Sequence, residues 1–224
     1  MNRNRSERCH RPRGFTLVEL LVTIAIVAIL ATLLIPVLKS AQASAKSAVC
    51  LNNLKQIRTY LQLYANDNDG YLPKVWDGVK HWNVVLCDTV GAPDISARKN
   101  FALWHCPSWG PAASDCFPLH PSYSVNFCYG LTLNASSSLP ADKLVNLPAT
   151  TILVADTIYF DAGPSKLPWQ GYFFYRNVPT TVQMIHLRHK QRANAVFVDG
   201  HAASLSKQDV LDSGVISVSD YGGK

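Results

Sequence analysis

The chain has 224 residues, 48% of them hydrophobic, which is enough for one modest globular domain and one apolar segment. Most of its formal net charge of +6 comes from residues 1–14, where five arginines stand against a single glutamate. The rest of the chain carries 16 basic and 14 acidic side chains. Nucleic-acid binding needs a clustered basic face, so we expect no nucleic-acid partner.

A long uncharged segment follows these arginines. The stretch LLVTIAIVAILATLLIPVL, residues 20–38, contains no charged side chain and only two hydroxyl groups. Counted from Phe15, it would form a helix about 36 Å long, enough to cross a hydrocarbon core of about 30 Å. The arginines before it and the scarcity of basic residues just after it predict a cytoplasmic N-terminus, a single membrane pass and an exported C-terminal part. A secretory signal peptide would have a shorter apolar core followed by a small-residue cleavage site.

The helical pattern continues beyond Pro36. Apolar and small residues recur at steps of three and four within residues 39–66, which predicts an amphipathic helix with one mostly apolar face. The positions on this face are Ala43, Ser47, Cys50, Leu54, Ile57, Leu61 and Tyr64. Pro36 should bend the helix rather than end it, since the pattern resumes at once. The turn residues of NDNDGYLP, residues 66–73, mark the end of the helix.

The second half of the chain has the signals of a small β-sheet. Segments rich in β-branched or aromatic residues predict strands at 151–155, 171–175, 193–198 and 201–205. Asp199-Gly200, between the last two, predicts a tight hairpin turn, so we expect an antiparallel sheet. The apolar face of the helix would cover one side of it. The predicted fold class is α+β.

The N-terminal stretch carries a family resemblance. RGFTLVELLVTIAIVAILATLLIPVL, residues 13–38, resembles the N-terminal signature of type IV pilins and type II secretion pseudopilins. By this resemblance Gly14 is the last leader residue and Phe15 the N-methylated new terminus. Glu19 is then the glutamate used in assembly, and Pro36 the helix bend. The resemblance implies that a prepilin peptidase cuts between Gly14 and Phe15, and that the helices then pack into a filament core.

The same resemblance implies a pilin-like domain organisation. Residues 1–14 would be the leader, 15–38 the transmembrane part of the helix, 39–66 its amphipathic exported part, and 67–224 a loop-rich periplasmic or extracellular domain with the antiparallel sheet. We expect a structural subunit of a pilus-like filament or a pseudopilus, held in the inner membrane. Its expected partners are the prepilin peptidase, other pilin or pseudopilin subunits and the inner-membrane assembly platform.

Glu19 is the only glutamate outside the leader, and it lies in the most apolar stretch of the chain. An ionised carboxylate at mid-bilayer depth costs about 3 kcal/mol on insertion scales, so a charge kept there favours a functional role. Four residues place Glu19 about 6 Å along the helix axis from Phe15. In a helix bundle, its carboxylate can neutralise the N-terminal amine of a neighbouring subunit. The alternative is a plain signal anchor in which Glu19 lies at headgroup level without a function.

A second resemblance covers the region after the membrane segment. Four segments, NNLKQIRTYLQLYANDNDGYLP (52–73), FALWHCPSW (101–109), SYSVNF (122–127) and RHKQRANAVFVDGHAASL (188–205), resemble the H-x9-DG subgroup of prepilin-like proteins. His189 and Asp199-Gly200 are the motif residues. We interpret the motif as structural: a hairpin turn across which His189 forms a hydrogen bond. A metal or acid–base cluster of His189, Asp199 and His201 is the alternative.

Tryptophans are frequent in the loop-rich region. We expect all of them, Trp76, Trp82, Trp104, Trp109 and Trp169, to cover a small core. The alternative function for the chain is a minor subunit or surface binding module, an adhesin or cargo binder. It would bind a glycan or a secreted protein with the aromatic loops between Leu72 and Asn126, which carry Trp76, Trp82, Trp104 and Trp109.

Neither an enzyme nor a cofactor is predicted. The sequence has no nucleophile motif, phosphate loop or paired-carboxylate signature. Asp67, Asn68, Asp69 and Gly70 resemble the opening of a calcium loop, but the glycine comes too early and no glutamate follows as the bidentate ligand. A calcium ion held by carbonyl and Asp oxygens stays open as an alternative.

The six cysteines show no spacing typical of a zinc site. Cys9 would leave with the leader, so five would remain. Any disulfide among them requires an oxidising exterior, and Cys106 with Cys116 is the nearest pair in sequence. The pairing is left open.

Overall fold

The computed structural model describes residues 15–89, 91, 102–109, 129–133, 142–160, 168–169, 171, 173–176, 179–180 and 183–219. Gly14 and the rest of the predicted leader lie outside these ranges, as do Cys116 and Cys128. Two compact units are present, Met1–Gln42 and Ala43–Lys224.

Helix α1 spans Leu17–Asp67 and continues through Pro36, as the sequence pattern predicts. In the first unit, every side chain from 15 to 42 is exposed. By length and composition, this part of α1 can cross a membrane. The hydroxyls of Thr23 and Thr32 donate to helix carbonyls one turn earlier, so these polar groups are satisfied within the helix. A continuous apolar surface of this size requires a membrane or other protein around it.

In the second unit, α1 has one buried face, at the spacing that the sequence predicts. Its buried residues are Cys50, Asn53, Leu54, Ile57, Leu61 and Ala65. Short helices follow α1: α2 at Trp82–Thr89, a 3-10 turn at Ala102–Trp104, another at Leu144–Asn146, and α3 at Lys207–Asp212. α3 begins with a capping box, in which the side chains of Ser206 and Asp209 each accept a hydrogen bond from the other's backbone N–H.

Within the described residues, eight strands form the sheet. They are β1 (Tyr129–Leu133), β2 (Ile152–Phe160), β3 (Pro168–Trp169), β4 (Phe173–Tyr175), β5 (Gln183–His186), β6 (Ala193–Phe197), β7 (Ala202–Leu205) and β8 (Val218–Ser219). β2 is central and pairs antiparallel with β1, β3, β5 and β6. However, β1 with β4 and β5 with β8 are parallel pairs, so the sheet is mixed and the expectation of a purely antiparallel sheet is wrong. The long helix and the small sheet confirm the α+β, pilin-like architecture.

The core lies on both faces of the sheet. On one side, the buried face of α1 packs with Trp82, Trp104, Tyr129 and Val196. On the other side, Phe174 and Val210 belong to a second cluster. Residues of β6 alternate between the two clusters, because successive side chains of a strand point to opposite faces.

Leu54→Ala removes a fully buried side chain of α1. It should lower the free energy of unfolding by about 2–5 kcal/mol, because the cavity that it leaves cannot fully collapse. Leu63→Ala is the matched control: Leu63 lies on the same helix and is 47% exposed, so we expect a change within about 0.5 kcal/mol. Urea unfolding of both full-length variants in detergent, followed by tryptophan fluorescence, measures the difference. Equal losses would show that this face of α1 does not carry the core.

Candidate functional site

The N-terminus of α1 is closed by a capping box between Thr16 and Glu19. Glu19 Oε2 accepts hydrogen bonds from the backbone N–H of Thr16 at 2.9 Å and from its hydroxyl at 2.8 Å. In return, the backbone N–H of Glu19 donates to Thr16 Oγ1 at 3.2 Å. Glu19 therefore has a local structural role besides the assembly role predicted for it. The sequence signal for this role, Thr-x-x-Glu before an apolar run, was present but not recognised.

The predicted assembly residues Phe15, Glu19 and Pro36 all lie in the exposed apolar part of the chain, and Phe15 itself is 74% exposed. Glu19 Oε2 takes both bonds from Thr16, and a carboxylate has lone pairs on two oxygens. Capping α1 and receiving a charge from another molecule are thus compatible for this side chain.

The H-x9-DG motif is divided between the two ends of β6. His189 lies in the turn before the strand, and Asp199-Gly200 forms the turn after it. Five strand residues between them span about 16 Å. The structure brings Asp199 and His201 together but not His189, so the alternative of one metal or acid–base cluster from these three residues is wrong. The predicted hydrogen bond of His189 across the hairpin turn is wrong for the same reason.

Asp199 and His201 organise the predicted hairpin between β6 and β7. Asp199 Oδ1 accepts from the backbone N–H of His201 at 3.0 Å and lies 2.6 Å from His201 Nδ1. The backbone hydrogen bond, followed by the side-chain one, holds the pKa of Asp199 below its usual range. Gly200 has φ +95°, which favours glycine. Both side chains are exposed, and the His201 ring stacks on Phe197 with centroids 4.0 Å apart.

This hairpin is tied to α1 through Arg58. The Nε and Nη2 groups of Arg58 both donate to the carbonyl oxygen of Val198, at 3.0 and 2.6 Å. Val198 directly precedes Asp199, so the turn is held against the helix.

His189, in contrast, is buried beside a carboxylate and a sulfur. Its Nε2 lies 3.2 Å from Asp156 Oδ2 and 3.4 Å from Cys106 Sγ. Asp156 is fully buried and its Oδ2 also accepts from the backbone N–H of Asn194 at 2.7 Å. Arg188 Nε lies 3.8 Å from Asp156 Oδ1. A buried carboxylate needs such partners, because an unpaired charge in the interior is strongly destabilising.

Cys106 forms a disulfide with Cys50 of α1, not with its nearest cysteine in sequence, Cys116. The bond closes a loop across 56 positions, which in the chain-entropy account stabilises the fold by about 4 kcal/mol. Sequence reasoning missed this pair because the two cysteines are distant along the chain. Asp156, in the middle of β2, carried no sequence signal that would connect it to His189.

The tryptophans divide between the core and the surface. Trp82 and Trp104 are buried and meet edge to face, with centroids 5.6 Å apart. Trp109 is half-buried, and Arg188 Cζ lies 4.8 Å from its ring centroid. Trp76 is 36% exposed, and the side chain of Trp169 lies outside the described residues. Two of the four tryptophans offered for a binding surface therefore belong to the core.

The segment compared with a calcium loop ends α1. The backbone N–H of Gly70 donates to the carbonyl of Ala65 at 2.8 Å, which is the bonding of a helix C-terminal turn. Asp69 there adopts φ +52°. Within the described ranges, the one group of three side chains close enough to share a metal ion is Cys50, Cys106 and His189.

Comparisons with known proteins point to the N-terminal part of the chain. Residues 9–35 match the family described as the prokaryotic N-terminal methylation motif. The chain is 44% identical over 59 residues to the type IV wide pilus major component PilA4 of Thermus thermophilus, covering 26% of this chain and 45% of the relative. It is 34% identical over 71 residues to the type II secretion system core protein G of Pectobacterium carotovorum, covering 32% of this chain and 45% of the relative. In its N-terminal part, the chain is pilin-like.

The similarity to these relatives covers only part of each protein. The type IV major pilin protein PilA of Myxococcus xanthus is 39% identical over 61 residues, which cover 27% of the pilin-like chain and 28% of the relative. The chain thus spans less than half the length of each of these relatives. No solved structure matches it.

The two histidines of the motif region should differ in their contribution to stability. His189→Ala would leave Asp156 buried without its imidazole partner and should lower the free energy of unfolding by about 3 kcal/mol. His201→Ala removes an exposed ring and should cost less than about 1 kcal/mol. Thermal and urea unfolding of the two full-length variants measures both changes. A loss for His201→Ala as large as that for His189→Ala would contradict this assignment.

Proposed function

We propose that this pilin-like chain is a structural subunit of a type IV pilus-like filament or a type II secretion pseudopilus. One observation carries the proposal: the methylation motif at residues 9–35 continues into α1, whose side chains up to residue 42 are exposed and mostly apolar. Such a surface is stable in a bilayer or against other apolar helices, and transfer between these two environments loses little apolar burial.

The proposed processing follows from the same motif. The prepilin peptidase would cut between Gly14 and Phe15 and the new terminus would be N-methylated. Before assembly, the subunit would lie in the inner membrane as a single-pass protein, with its basic N-terminus in the cytoplasm. Residues 67–224 would be periplasmic, or extracellular within a filament.

Glu19 is proposed to set the axial register of assembly. Cleavage places a cationic amine at Phe15, about 6 Å along the axis from Glu19. Between neighbouring subunits, a carboxylate and an amine offset a desolvation cost that neither charge could carry alone. Other pilin or pseudopilin subunits, the peptidase and the inner-membrane assembly platform are the proposed partners.

The capping box makes a sharper test of Glu19 available than its removal alone. Glu19→Ala removes both the cap and the charge, whereas Glu19→Gln keeps a side chain that can complete the capping box and removes only the charge. We expect both variants to insert into the membrane normally and both to enter the filament fraction at least about tenfold less than wild type, since a lost charge pair of 1.4 kcal/mol or more per contact has that effect.

The measurement is the ratio of subunit in sheared filaments to subunit in the membrane, by immunoblot. Thr23→Ala is the matched control, because Thr23 lies one turn further along the same exposed segment and bonds only within the helix in the described structure. Normal incorporation of Glu19→Gln together with loss in Glu19→Ala would mean that Glu19 acts as a cap and does not set the register.

A further inference from the structure

We propose that the reduced chain binds one zinc ion, or a chemically similar thiophilic divalent cation, through Cys50, Cys106 and His189. The site lies within the exported domain and does not depend on filament assembly. Its sulfur ligands are the same atoms that form the disulfide, so metal and disulfide are alternative states of one site.

The geometry is close to that of a tetrahedral centre. The ligand atoms of Cys50, Cys106 and His189 all lie within 4.8 Å of one another, and all three residues are buried. In a tetrahedral zinc site, a thiolate sulfur and an imidazole nitrogen are about 3.6 Å apart, given Zn–S of about 2.3 Å and Zn–N of about 2.05 Å. The observed separation of Cys106 Sγ and His189 Nε2 is 3.4 Å. Asp156 Oδ2 lies 3.2 Å from the same nitrogen and so borders this group of three ligands.

His189 Nε2 and Cys106 Sγ are already at the separation of two ligands on one ion. The sulfur lies 3.4 Å from the nitrogen, and Cys50 contributes a second sulfur to the same group. In the reduced chain, the two sulfurs carry protons as thiols. A divalent cation would displace these protons and bind both sulfurs and the nitrogen.

The charges and the ligand types select the metal. Two thiolates cancel the charge of a divalent cation, and Arg188, 3.8 Å from Asp156 Oδ1, offsets the remaining carboxylate. The buried group is then close to neutral, which the interior requires. Sulfur and imidazole ligands favour zinc over calcium or magnesium, which prefer oxygen.

The two states exchange with a balanced set of atoms and electrons. Zinc binding to the two thiols releases two protons. Oxidation joins the two thiolate sulfurs in one S–S bond and passes two electrons to an external protein disulfide. That disulfide takes up two protons and becomes two thiols, and the zinc ion leaves. On reduction, the sulfurs must separate to about 3.8 Å, the distance between two thiolates on one tetrahedral zinc.

Cobalt titration of the full-length chain in detergent tests the proposal. The chain is reduced with a phosphine under nitrogen, and Co²⁺ is added as the spectroscopic probe. We expect the intense visible absorption of tetrahedral cobalt and a thiolate-to-cobalt charge-transfer band, both saturating at one ion per chain and both displaced by Zn²⁺. The oxidised chain should show neither band. Zinc should also raise the melting temperature of the reduced chain alone, since a ligand that binds the folded state stabilises it.

Variants locate the site. Cys50→Ser and Cys106→Ser should each weaken the thiolate band and lower cobalt affinity at least about 100-fold, and His189→Gln at least about tenfold. Cys87→Ser is the matched control, since Cys87 is buried outside the cluster, and His201→Gln is the control histidine. Cys116→Ser and Cys128→Ser should likewise leave the titration unchanged.

Three results would overturn the proposal. The first is a reduced wild-type chain without a one-equivalent tetrahedral signal, and the second is a signal that survives Cys50→Ser or depends on Cys116 or Cys128. The third result concerns folding. If circular dichroism shows that reduction alone unfolds the chain and zinc does not restore the folded spectrum, the site does not exist.

Discussion

Helix α1 presents two different surfaces along one continuous backbone, and the rest of the structure depends on this. Up to residue 42 its side chains are exposed and mostly apolar, whereas from Cys50 to Ala65 one face is buried against the sheet. Burial of that second part holds the unit Ala43–Lys224 together around α1. The apolar surface of the first part needs a membrane or other helices around it. A filament subunit would meet both of these environments.

The spacing between His189 and Asp199 in the H-x9-DG motif matches the length over which β6 runs beside α1. Near the start of β6, the Asn194 side chain donates to the carbonyl oxygen of Ser47 at 3.0 Å, and after its end Arg58 binds the carbonyl of Val198. Eleven helical residues rise about 16 Å, and the strand covers a similar length with four or five. His189 thus lies beside the disulfide that joins α1 to Cys106, and Asp199 directly follows the carbonyl that Arg58 of α1 binds.

Local periodicity predicted α1 and four of the eight described strands, β2, β4, β6 and β7, and long-range partners could not be predicted. The face of α1 and the hairpin of β6 and β7 follow from the helical repeat and from Asp199-Gly200. The second half of β2 was not predicted because Asp156 interrupts its apolar run. Asp156 is nevertheless buried in this strand, where it pairs with His189 and Arg188. β3 and β8 have two residues each, too short for a pattern. The site at Cys50, Cys106 and His189 joins distant parts of the chain, which spacing alone does not reveal.

Prepilin processing would convert this chain from a membrane precursor into an assembly-competent subunit. Intact mass of the protein, taken from membranes of its native host with and without the prepilin peptidase, tests this most directly. We expect a chain that begins at N-methylated Phe15, and only where the peptidase is present. A chain that begins at Met1 in both strains would mean a plain signal anchor and would contradict filament assembly.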